Sequence, residues 1–152
     1  MELKRVNPLP LDTSWPLHER ARHFRLGRIL DCDAAEVTDL AVNTALGRNS
    51  AGWWECDLSA NRLSWTTGVY DIFGLPHGAQ VARAEAVALY CEESRALMER
   101  MRAYAIGHRR GFVLDAEIRP ADNAPNRWMR LIGVPACEGG RTVRLHGLKL
   151  IV

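Results

Sequence analysis

The sequence predicts an α+β domain: a five-stranded antiparallel sheet with helices on one face, preceded by one or two amphipathic N-terminal helices. Three observations lead there. The hydrophobic pattern changes at residue 51 from helical spacing to strict alternation. Two alternating runs rich in aromatic residues are separated by turn residues. A strong amphipathic helix is then followed by three further apolar runs, parted by Asp122-Asn123-Ala124-Pro125 and Glu138-Gly139-Gly140.

The elements follow in order. Residues 1–13, with Asn7, Pro8 and Pro10, read as a flexible tail. Residues 14–47 read as a helical extension. Ser14 is a candidate N-cap, Pro16 fits a first turn, and Leu17, Ala21, Phe24, Leu26, Ile29 and Leu30 form an apolar face flanked by Arg20, Arg22, Arg25 and Arg28. Asp33 with Glu36 resembles a capping box that opens a second helix through Val37, Leu40, Ala41 and Ala45, stopped by Gly47.

The principal domain spans residues 51–152. Trp53 to Leu58 alternates and is a strand. Ser59-Ala60-Asn61 turns the chain, and Arg62 to Thr66 completes a hairpin. Val69, Ile72 and Phe73 before Gly74 mark a short helix. Glu93 to Ile106 carries Leu97, Met98, Met101 and Ala105 on one face, with Gly107 as its stop. The last strands are Phe112 to Arg119, Arg127 to Val134 and Thr142 to Leu150. Helices gathered on one face of an antiparallel sheet are an α+β arrangement.

Composition narrows the function classes. The 152 residues are 47% hydrophobic and 25% charged, as in globular proteins, with a net charge of +2. That charge does not call for nucleic acid or a membrane surface as partner. Lys4 and Lys149 are the only lysines among 20 basic residues. No apolar run approaches the ~20 residues of a membrane span, so no membrane insertion is expected. Residues 1–11 lack the apolar core of a signal peptide. Cys32, Cys56, Cys91 and Cys137 contain no C-x-x-C pair, which fits neither a zinc site nor a disulfide framework. A reduced, cytoplasmic protein is the expectation. No nucleophile–base arrangement or phosphate-binding loop is present, so no catalytic residue, metal site or cofactor is assigned.

Within residues 51–150 a set of residues resembles the PAS domain family, in the subclass common in bacterial sensor kinases. The carriers are Gly52-Trp53-Trp54-Glu55-Cys56-Asp57-Leu58, Trp65, Ile72-Phe73-Gly74, Phe112, Glu117-Ile118-Arg119, Arg127-Trp128, Gly133 and Gly147. Two features depart from the family. Tyr90-Cys91-Glu92-Glu93 stands where many relatives carry His-Pro-Glu-Asp, and the end, Gly147 to Val152, lacks an Asp-x-Thr triad. The Asn-Cys-Arg motif of flavin photoreceptor relatives is absent, and no histidine sits within the pocket helix as in haem-binding ones. The resemblance implies a non-catalytic sensory module acting through protein–protein interaction, expected as a stand-alone homodimer that regulates a partner such as a sensor histidine kinase. The other reading is a small-molecule sensor whose pocket occupancy alters dimerisation.

Strand parity selects the residues for each role. Trp54, Cys56 and Leu58 share one face of their strand, as do Phe112, Leu114, Ala116 and Ile118 of theirs. The ligand-pocket candidates are Trp54, Cys56, Tyr70, Phe73, Leu97, Met101, Leu114 and Trp128. The opposite face carries Trp53 and Val113. With Leu17, Ala21, Phe24, Ile29 and Leu30 these are the candidates for a dimer or partner interface.

Overall fold

In a computed structural model of the chain, the described residues are 27–30 and 51–152. Six strands form one antiparallel sheet. They are β1 (Gly27–Leu30), β2 (Ala51–Asp57), β3 (Arg62–Trp65), β4 (Gly111–Ile118), β5 (Arg127–Glu138) and β6 (Arg141–Ile151). Their order across the sheet is β1-β4-β5-β6-β2-β3. Three helices, α1 (Thr67–Phe73), α2 (Arg83–Ala88) and α3 (Glu92–His108), connect β3 to β4.

The sheet has six strands rather than the five expected from the sequence, because Gly27–Leu30 pairs with β4. This stretch was expected to be helical. Its residues instead alternate across the sheet: Ile29 packs against the helix-side core, and Leu30 is buried on the opposite face with Ile132, Val134, Leu148 and Leu150. The two residues therefore do not share one interface surface. Gly27 suits the close approach. A Cβ there would lie 2.6 Å from Met101 Sδ and 3.1 Å from Leu114 Cβ, so any side chain would make Met101 shift where β1 meets α3 and β4. Leu17, Ala21 and Phe24, the tail and the second expected helix lie outside the described residues.

The hairpin β2–β3 forms as expected, with Trp54 opposite Trp65. Helix α1 ends at Gly74, which is left-handed (φ 71°). Helix α2 was not anticipated. Six residues are too few for a clear period, and its signal is the Glu85 carboxylate accepting the Ala82 backbone N–H at 2.9 Å. Helix α3 continues past Gly107 to His108. It stops instead at Arg109, itself left-handed at φ 56°. β5 runs four residues beyond the expected Val134, through Pro135. Its pairing with β4 has already ended at Gly133, so the missing proline N–H leaves no gap between those strands.

The core fills the space between the helices and one sheet face. Val69, Ile72, Phe73, Leu97, Met101, Leu114, Ala116, Ile118, Met129 and Leu145 are all buried there. Gly147 shapes this interior. A Cβ on Gly147 would sit 1.9 Å from the Ile132 carbonyl oxygen, so the backbones meet without a side chain between them. Trp54, opposite Gly147, donates its indole N–H to the same carbonyl at 3.1 Å.

Candidate ligand site

The site is built around an amine that the fold places in the core. On β6, Leu145, Gly147, Lys149 and Ile151 alternate toward the helices. Lys149 is only 6% exposed. Its Nζ lies 4.7 Å from the ring centre of Phe73, 5.4 Å from that of Trp54, 5.7 Å from that of Tyr90 and 5.8 Å from that of Trp65. It donates a hydrogen bond to the Tyr90 hydroxyl at 3.3 Å.

Tyr90 is held from its backbone. It bridges to Ile118, the Cys91 N–H donates to Glu117 O at 2.9 Å, and the Arg119 N–H donates to Leu89 O at 2.8 Å. The Ser94 hydroxyl accepts the Glu117 N–H at 2.8 Å and fastens the first turn of α3 to the same point. The ring is thus fixed over the sheet with its hydroxyl turned toward Lys149.

Burial dominates the electrostatics. Removal from water pushes the Lys149 amine down from its ordinary 10.5 to about 7, with the adjacent Cys56 opposing and the nearby Arg83 reinforcing that push. Burial also holds the Tyr90 hydroxyl far above the usual phenol range, so it is neutral. The four rings attract the ammonium form through their π faces. Near neutrality both forms of the amine are therefore populated.

A cavity of about 50 Å³ adjoins this amine. Trp54, Cys56 and Leu63 line it from the β2–β3 hairpin. Arg83, Ala86 and Val87 come from α2, Met98 and Arg102 from α3, and Phe112, Leu131 and Lys149 from the sheet, with Tyr90 completing the wall. Arg83 also pairs with Glu99 across the helices. The volume is far below the few hundred Å³ that drug-sized ligands occupy. It corresponds to about three or four water-sized positions.

The expected pocket residues separate into groups. Trp54 and Cys56 line the cavity, and Phe73 touches Lys149. Leu97, Met101 and Leu114 fill the solid core. Tyr70 faces an open groove between β3 and the 78–85 segment, where its hydroxyl donates to Ala79 O at 2.8 Å. Trp128 is misplaced by the expectation. Met129 and Leu131 take the inward positions of β5, which turns Trp128 to the far face opposite Glu117. Sequence reasoning missed Lys149, Tyr90, Arg83 and Arg102. The rarity of lysine was the one available signal.

Trp53 stands on the far face and is 42% exposed, with its backbone N–H bonded to Thr66 Oγ1 at 2.9 Å. Val113 is half-buried beside the far-face cluster. Arg130 grips Asp115 through two hydrogen bonds of 2.8 and 3.0 Å on that face. Among the described residues no group of three His, Cys, Asp or Glu is placed to hold a metal ion, and no helix is long and apolar enough to cross a membrane.

Comparison with solved structures identifies the fold as that of PAS domains. A domain of a light- and redox-sensing histidine kinase from Haloarcula marismortui superposes with a TM-score of 0.61 at 17% identity, covering 75% of this chain and 98% of that one. A sensory box histidine kinase/response regulator from Burkholderia thailandensis gives 0.58 at 20% identity, covering 75% and 82%. An RNA-binding light-oxygen-voltage receptor gives 0.59 at 16% identity; the match covers 67% of this chain but only 29% of the receptor. No family model matches the sequence, and no curated protein does.

Proposed function

We propose that the chain is a non-catalytic sensory signalling module that holds a small ligand at Lys149 and passes its occupancy on through protein–protein contact. The buried amine carries this reading. A lysine surrounded by aromatic rings is costly to bury, and an apolar side chain of the same length would pack there at lower cost. Its position beside a cavity is what a ligand site requires: an apolar chamber with a few convergent polar groups. The likeness to sensor domains of histidine kinases supports the signalling role.

Native mass spectrometry of protein purified from its own cells, before and after dialysis, tests this. The expected result is a non-covalent small-molecule mass that dialysis or Lys149→Met removes. Bare polypeptide mass, together with a dimer fraction that a metabolite extract leaves unchanged, would overturn it.

A second observation favours a partner surface. Trp53 is a large apolar side chain left open on the far face. We place the homodimer or regulatory-partner contact there, with a sensor histidine kinase as the kind of partner, and with Val113 at its margin.

A further inference from the structure

We infer that the Lys149 cavity binds a planar monovalent oxyanion of three or four heavy atoms, a short carboxylate or an inorganic anion of the same shape. This rests on the sensory reading above and names its ligand class.

Charge, size and access support it. Three basic side chains, Lys149, Arg83 and Arg102, line the cavity, and among the described residues no acidic side chain does. Glu99 pairs with Arg83 from outside the lining, and Arg102 and Lys149 bring the other basic groups to a wall whose open surface is mostly apolar. The neutral Tyr90 hydroxyl supplies a further donor once its oxygen has accepted from Lys149. A planar anion offers in-plane lone pairs to amine, guanidinium and hydroxyl donors, and such charge-assisted bonds are the strong ones.

The volume of about 50 Å³ matches formate, acetate, bicarbonate or nitrate in size. The Arg83 side chain is 22% exposed while lining the cavity, which places the route from solvent along it. Burial leaves part of the Lys149 population without a proton, so an entering anion draws the amine to its charged form. The other ionisable groups around it are Cys56, Tyr90, Arg83 and Arg102, with Glu99 on Arg83.

The test is calorimetric titration of the full chain at constant ionic strength with formate, acetate, bicarbonate and nitrate. Chloride and neutral acetamide serve as controls. At least one planar anion is expected to bind saturably at one site, with chloride and acetamide silent. Lys149→Met and Arg83→Gln should each weaken it tenfold or more, and Lys149→Met keeps the length of an apolar side chain, so the fold is retained. Binding of formate and acetate without nitrate identifies carboxylate recognition; binding of all four shows that charge and shape suffice. No anion binding, equal binding of acetamide, or an unaltered affinity in Lys149→Met overturns the inference. The dimer fraction at saturating anion separates the two readings. Saturable binding with no change in assembly retains the anion site and removes the sensory coupling. A native ligand in mass spectra without anion binding does the reverse.

Discussion

Lys149 and Tyr90 meet in the core through a 3.3 Å hydrogen bond, 59 residues apart in sequence, one from the middle of the sheet and one from the entrance of the longest helix. The pair joins a strand to the segment leading into that helix by a polar contact where packing alone would serve.

The first prediction concerns its cost. Lys149→Met is expected to raise stability by about 1–4 kcal/mol near pH 7, the range seen when buried ionic groups give way to apolar ones. Urea unfolding measures it. An unchanged or lowered midpoint would show that the amine stabilises the fold.

A pH dependence accompanies it. The native amine titrates near 7 and the unfolded amine near 10.5. Between these values the unfolded state binds more protons, so this residue makes stability rise with pH across that window and contributes no slope below it. The difference in unfolding free energy between wild type and Lys149→Met should therefore narrow from pH 7 to pH 10. A constant difference would mean that the amine titrates normally.

Tyr90→Phe removes the hydroxyl that accepts from the ammonium while keeping the ring. The Lys149 amine should then titrate lower still, because hydrogen bonding to the charged form is what sustains it. NMR titration of the lysine side chain reads this directly, and the small number of lysines simplifies the spectrum.

Gly147→Ala places a Cβ on the Ile132 carbonyl, where the space measures 1.9 Å. The paired strands must part, and the Trp54 indole bond to that carbonyl is strained with them. A loss of about 3 kcal/mol or more is expected, at the severe end for a point substitution. Thermal unfolding followed by tryptophan fluorescence measures it.

Trp53→Asp is expected to weaken a dimer severalfold while leaving the far-UV circular dichroism intact, since the residue is 42% exposed. Sedimentation across a concentration series is the measurement. Identical curves for both proteins would move the interface elsewhere.

Much of the sheet was legible because alternation is a local signal. The inward positions of β2 and β4, from Trp54 and Cys56 to Phe112 and Ile118, follow from parity alone. Trp128 shows the limit of that reading. It stood among the pocket candidates, yet parity is only as good as its register, and Met129 takes the inward place. Gly27 interrupts a helical pattern, and its meaning lies in a contact with Met101, distant in sequence. Lys149 was visible as a rare residue in an apolar strand, but its consequence depends on four rings brought together from separate elements. Local pattern reads faces; it does not read what converges on one atom.

The bridging around β4 has one further consequence. Its outward side is covered twice, at Gly111–Leu114 by β1 and near Ile118 by the Leu89–Cys91 segment. The strands left outermost, β1 and β3, are four residues each. Exposed backbone on a long strand is a template on which other chains add and aggregate, and short outer strands offer little of it. A version of the protein beginning at residue 51 would uncover half of β4 in this way. It is expected to scatter more light than the whole chain at equal concentration.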